Sequence, residues 1–140
     1  MRKMQWQNGL SVGIETIDNQ HKRWIEYYNK TAAAVASGQT PSQISKTLGF
    51  LIDYTEVHFS SEEKYMSEHS YPGLDEHKGK HNELRSTLAG LVKDFEEEGV
   101  TPYLGEALET FLGNWLIKHI QEFDRKFGDS VKSGQAGEAR

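Results

Sequence analysis

The run Ile44–Met66, ISKTLGFLIDYTEVHFSSEEKYM, decides the fold. Ile44, Leu48, Leu51, Thr55, His58, Glu62 and Met66 recur at steps of three and four, which places them on one face of an α-helix. A half-buried strand would alternate every second residue, and this run does not. The same face carries a histidine and a glutamate one turn apart, at positions where a core-facing stripe calls for apolar side chains.

Outward from this run, proline and glycine divide the chain. Gly38 closes the segment before it, and Thr40-Pro41 opens it as N-cap and first-turn proline. Ser70-Tyr71-Pro72-Gly73 ends it, Gly99 closes the next segment, and Thr101-Pro102 repeats the cap-and-proline opening. The other segments keep the helical period. The first reads Ile14, Ile17, His21, Trp24, Tyr28, Thr31, Val35; the third Leu74, His77, His81, Leu84, Leu88, Leu91, Phe95; the fourth Leu104, Leu108, Phe111, Trp115, His119, Phe123, Phe127. Four amphipathic segments with short connections predict an all-α, antiparallel up-down-up-down four-helix bundle, preceded by an extended N-terminal loop. The expected helices span about 18–37, 41–69, 74–98 and 102–127, within a domain of residues 1–128, with 129–140 as a loose tail. Gly49, Gly79, Gly90, Gly105 and Gly113 fall inside or near the helices, each costing up to about 1 kcal/mol against alanine. Close helix approach accounts for some of them, though nothing specific is evident for Gly79.

Composition narrows the function classes. The chain has 140 residues, 36% hydrophobic and 26% charged, with a net charge of −5, which fits one globular domain. No Lys/Arg run forms a basic stripe, so no nucleic-acid partner is expected. No stretch approaches the roughly 18 apolar residues of a membrane span. Met1-Arg2-Lys3 is followed by no apolar core of a secretory signal, so the expected location is cytoplasmic. Evenly charged polar faces favour a monomer. Cysteine is absent, so any metal must be held by nitrogen and oxygen.

Five of the six histidines, with Glu62, interrupt the apolar stripes. One histidine on such a face is usually an ordinary hydrogen-bonded core residue. Five, drawn from all four helices, would each cost about 1–3 kcal/mol if buried unpaired, which consumes most of a small domain's stability. A metal compensates them. His58 and Glu62, and His77 and His81, are four apart and project from one face. His119 and Asp124 are five apart, about 140° out of phase on an ideal helix. Either Asp124 reaches inward from the flank or the helix is distorted there. Five imidazoles and two carboxylates exceed a tetrahedral zinc site and suit two metals sharing bridges; iron fits well, with manganese, cobalt and zinc also open. His69 stands apart as a surface or capping residue. Glu63, about 100° from Glu62, is read as solvated.

These residues resemble the hemerythrin family over nearly the whole folded chain. Trp6, Val12, Gly13 and Ile14 leading to Ile17-Asp18-Asn19-Gln20-His21 look like its opening signature. His58-Phe59-Ser60-Ser61-Glu62-Glu63-Lys64-Tyr65-Met66 is similar to its HFxxEExxM pattern. Tyr71-Pro72 with His77 and His81, and Trp115-Leu116-Ile117-Lys118-His119-Ile120 with Asp124, match the third and fourth. The resemblance implies a non-haem di-iron centre that binds dioxygen reversibly, as a carrier or store. His77, His81 and His119 would bind one iron, and His21 and His58 the other. Glu62, Asp124 and an oxo or hydroxo group would bridge them. Phe59, Trp115, Leu116 and Ile120 are expected around the ligand pocket, with Trp24, bulkier than the leucine-like residue associated with that place, narrowing it. Oxygen, redox or nitric oxide sensing, and peroxide or nitric oxide turnover by a di-iron enzyme, are the alternatives, since the same open iron would serve each.

Overall fold

A computed structural model describes residues 4–132; the charged Met1-Arg2-Lys3 and the part of the expected loose tail beyond Lys132 lie outside them. Helix α1 is Glu15–Ala36, α2 is Pro41–Glu68, and α3 is Leu74–Glu98. The fourth, α4, runs unbroken over 102–132 but changes winding twice: Glu109–Gly113 and Ile120–Asp124 are single π-helical turns. Each helix packs on its two neighbours in the ring, α1 on α2 and α4, α3 on α2 and α4. The result is an up-down-up-down bundle around one core. Among the described residues no helix is long and apolar enough to cross a membrane.

The local chemistry explains the element ends. Thr40 and Gln43 form a reciprocal capping box, the Thr40 hydroxyl accepting from the Gln43 amide at 3.2 Å and the Gln43 carbonyl accepting from the Thr40 amide at 3.1 Å. Thr101 occupies the N-cap position before Pro102, but its side chain makes no capping bond. Gly38 and Gly99 turn the chain at φ +68° and +74°, the left-handed region open to glycine. His69 is the C-cap residue of α2, its Nδ1 2.9 Å from the Tyr65 carbonyl.

The α1 helix starts at Glu15, three residues before the expected start, because Asp18 serves the preceding arm. Its carboxylate accepts from the Ser11 hydroxyl at 2.5 Å and the Val12 amide at 2.8 Å. That arm is not loose. Leu10, Val12 and Ile14 are buried, Met4 and Asn29 exchange two hydrogen bonds of 2.7 Å, and Arg125 donates to the Gly9 carbonyl. The fourth helix extends past its expected end at 127 for a related reason. Gly128 lies inside it, where a Cβ would come within 1.9 Å of the Val12 carbonyl oxygen. The glycine therefore marks where the arm crosses the helix, not where the helix stops.

The π-turns also correct the expected stripe of α4. Each inserts one residue into the helical repeat, which advances everything beyond it by one position. Phe111, expected in the core, is 43% exposed, and Leu112 is buried in its place. Trp115 and Phe123 are only partly buried, while Leu116 and Ile120 are fully covered. Close approach explains Gly113, whose Cβ would meet the Tyr28 hydroxyl at 2.7 Å; Gly49, Gly79 and Gly90 have open space around them.

Candidate metal centre

Each helix delivers its polar residues to the middle of the bundle: His21 from α1, His58 and Glu62 from α2, His77 and His81 from α3, His119 and Asp124 from α4. All seven are at most 3% exposed. The pairs four residues apart share a face as their spacing predicts. The pair five apart does so because Ile120–Asp124 is wound as a π-turn, so that i and i+5 nearly eclipse. Local distortion, one of the two explanations left open by the spacing, is what turns Asp124 inward.

The donor atoms form two groups. His77 Nε2, His81 Nε2 and His119 Nε2 converge: His119 Nε2 lies 3.1 Å from each of the other two. One oxygen of each carboxylate joins them: Glu62 Oε1 lies 2.8 Å from His77 Nε2 and 3.2 Å from His81 Nε2. Asp124 Oδ1 lies 2.9 Å from His77 Nε2 and 3.1 Å from His119 Nε2. The other oxygens turn to the second group. Asp124 Oδ2 is 3.0 Å from His21 Nε2, and Glu62 Oε2 is 3.8 Å from His21 Nε2 and 3.6 Å from His58 Nε2. Within each group the ligand atoms lie within 4.8 Å of one another, close enough to hold one cation. Glu62 and Asp124 belong to both groups.

This arrangement fits a pair of cations and fits little else. Both nitrogens of His21, His58 Nε2, His119 Nδ1, Glu62 Oε2 and both Asp124 oxygens are buried with no well-directed hydrogen bond among the described residues, even where Asp124 stands 2.9–3.1 Å from His21, His77 and His119. At about 1–3 kcal/mol for each such atom, the unsatisfied set rivals the whole stability of a small domain. Cations that accept the lone pairs of the Nε2 atoms and carboxylate oxygens would remove most of that cost; His21 Nδ1 and His119 Nδ1 lie outside the donor groups.

Electrostatics prepares the donors. Burial drives His58 well below its ordinary pKa, with His21 adding to the effect. Burial likewise lowers His81, helped by His77 and His119, and lowers His119. These imidazoles are thus held neutral, the form that ligates. Burial pushes the Glu62 carboxyl well above the usual range, and Asp124 beside it adds to the rise. Burial also works against charge on Asp124, yet the His119, His21 and His77 imidazoles hold it well below that range. His77 is the counterpoise. Burial opposes its proton, but Asp124 and Glu62 raise its pKa to about 9. Loading a cation displaces that proton.

Around the donors lie aromatic side chains. Phe59 stacks on His81 at 3.8 Å between ring centroids, and Trp115 stacks on His119 at 4.4 Å. Trp24 lies 5.0 Å from the His58 ring, and its indole nitrogen donates to Thr55 Oγ1 at 2.8 Å. Trp24, Phe59, Leu116 and Ile120 have no exposed surface. Two residues escaped the sequence reading. Gln20 Oε1 lies 2.8 Å from His58 Nδ1, and Glu63 Oε2 lies 2.7 Å from His81 Nδ1. Glu63 is therefore not solvated as its angular offset suggested; its side chain is 15% exposed and turns to the neighbouring helix. Single-helix periodicity carries no signal for either contact, because each partner sits on another helix.

Residues 12–129 match the family model described as the hemerythrin HHE cation binding domain. The chain is 35% identical over 141 aligned positions to a bacteriohemerythrin of Methylococcus capsulatus, covering 95% of this chain and 100% of that one. It is 33% identical over 133 residues to a bacteriohemerythrin of Stenotrophomonas maltophilia, covering 95% of this chain and 84% of the relative. A crystal structure of wild-type hemerythrin superposes with a TM-score of 0.80 at 32% identity, covering 90% of this chain and 95% of that one.

Proposed function

The chain belongs to the hemerythrin family, and from that premise we propose that it binds dioxygen reversibly, as a carrier or store, at a non-haem di-iron centre. The observation that carries this reading is the division of the two carboxylates. Glu62 and Asp124 each direct one oxygen toward His77, His81 and His119 and the other toward the His21 and His58 side, the disposition that two bridged ions require.

In this reading His77, His81 and His119 would hold one iron and His21 and His58 the other, and Glu62 and Asp124 would serve both. The three-histidine half has one protein ligand more than the two-histidine half, so an iron in the latter would have fewer protein donors and more room for dioxygen. When bound, the iron pair supplies a reversible exchange of two electrons with dioxygen. The protein supplies the conditions. The buried Trp24 and Phe59 shield the donors from bulk water, and Trp24 lies against the His58 ring. A ligand set of five imidazoles and two carboxylates carries less negative charge than the carboxylate-rich sets of ferritin-like proteins, which disfavours oxidation beyond the bound state.

The test is optical and analytical. Metal analysis should give two irons per chain. The anaerobically reduced protein should gain colour on admitting oxygen and lose it when oxygen is removed. Conversion to a ferric form that no longer responds to oxygen removal would replace carriage with sensing or redox turnover.

A further inference from the structure

The two halves of the centre differ beyond their ligand count. His58 presents its Nδ1 to a neutral amide: Gln20 Oε1 accepts at 2.8 Å, and the same amide donates to Ser61 Oγ at 2.9 Å, which fixes its orientation. His81 presents its Nδ1 to the Glu63 carboxylate at 2.7 Å. That carboxylate is itself held. Arg85 Nη1 donates to Glu63 Oε2 at 3.3 Å and to Asn82 Oδ1 at 2.8 Å, while Nε and Nη2 donate to Glu56 at 2.8 and 3.1 Å. The Arg85 guanidinium also lies 5.1 Å from the centroid of Phe59, the ring stacked on His81. Glu56, Glu63, Arg85 and Phe59 thus grip one imidazole at its edge and its face.

A carboxylate accepting the outer N–H of a ligating imidazole makes the inner nitrogen a stronger donor, fixes the tautomer, and favours the more highly charged state of the ion. An amide acceptor fixes the tautomer but adds no charge. We propose that Glu63 is a positioning residue that makes His81 the strongest donor of the set, so that the three-histidine half is the tighter cation site and the one of lower reduction potential. The inference rests on the di-iron reading above. Arg85 limits how far Glu63 can move, and its own partner Glu56 is largely exposed, so the His81 imidazole is linked to the protein surface through one ion-paired chain.

Cobalt(II) titrated into the metal-free protein against a competing chelator, without air, tests the proposal apart from any oxygen chemistry. The wild type should bind two ions of unequal affinity, and His81→Ala should lose the tighter one. Glu63→Gln keeps an acceptor but removes the charge; it should weaken the tighter site by about 10–100-fold and leave the other unchanged. In the iron-loaded protein the same variant should raise the lower of the two midpoint potentials, by about 59 mV for each tenfold change in relative ferric stabilisation. Arg85→Gln, which removes the half-buried cation offsetting the Glu63 charge, should shift both readouts the opposite way by less, tightening the site and lowering that potential, and a shift in the direction of Glu63→Gln, or none, would refute the charge effect if Glu63→Gln does not fold. Failure of the wild type to bind two cobalt ions would overturn the di-iron reading itself. Two wild-type sites with Glu63→Gln unchanged in affinity and potential would overturn the role of Glu63 alone. A loss in Glu63→Ala that Glu63→Gln does not share would reduce Glu63 to an orienting contact and refute the charge effect.

Discussion

At the residue scale, burial sets the cost and the metal donors set the remedy. His58 illustrates both. Among the described residues its Nε2 has no hydrogen-bond partner, its Nδ1 is fixed by Gln20, and Glu62 Oε2 stands 3.6 Å from its Nε2. Replacing it by alanine removes one of the two imidazoles of the smaller group while leaving the larger group whole. His58→Ala should therefore retain about one iron per chain in place of two, and unchanged stoichiometry would count against its assignment. Trp24 belongs to the same scale. It is fully buried against His58, Phe59 and Trp115. Trp24→Leu should cost about 2–4 kcal/mol through the cavity it leaves and should speed azide binding in stopped-flow measurements. Equal rates in both proteins would mean that Trp24 does not bound the entry path.

At the element scale, the fourth helix holds the lesson. Asp124 is five residues from His119, and a π-turn brings it into phase. Such a turn is one residue in excess of an α-helix. Deleting Gln121, which is exposed, should let the segment rewind as α-helix with the two ligands four apart, and the protein should still bind two ions. Inserting one alanine beside Gln121 should rotate Asp124 out by about 100° and lose the bridge, read as a loss of at least one ion by metal analysis. Binding that survives the insertion would show that α4 tolerates a wider register than its packing on Val12 through Gly128 allows. The stripes of α1, α2 and α3 were legible because nothing interrupts their 3.6-residue period. The stripe of α4 was legible at Leu104, Leu108, His119 and Phe127 but missed at Phe111, Trp115 and Phe123, since propensities do not mark a π-turn and the exposed Phe111 looks as hydrophobic as the buried Leu112.

At the scale of the whole molecule, the metal and the fold are linked through protons. In the metal-free protein His58, His81 and His119 have pKa values below that of an unfolded histidine, about 6.5. Below that value the unfolded chain binds protons that the native state refuses. Their contribution is present above about pH 6.5 and is lost as the pH falls, at about 1.4 kcal/mol per pH unit for each group. His77 runs the other way, since its pKa is raised to about 9; its contribution is present at low pH and lost as the pH climbs through about 9. Between pH 6.5 and 5 His77 is protonated in both states and drops out, and Glu62, whose buried carboxyl is held well above its usual range, works against the three lowered imidazoles; three outweigh one, so urea midpoints of the metal-free protein should fall across that window. Midpoints that rise or stay flat would contradict the assignment. Bound metal should resist the fall until acid competes for the imidazoles.

The sequence by itself determined the helical class, the breaks between helices, the family, and which seven side chains were candidates for a metal, because period, punctuation and buried polar residues are written along one dimension. Only the tertiary structure decided which carboxylate oxygen faces which histidines, that a π-turn carries Asp124 inward, and that Glu63 and Gln20 orient His81 and His58. Those are relations between helices, or departures from ideal winding, fixed by packing at a distance along the chain where no local pattern reaches.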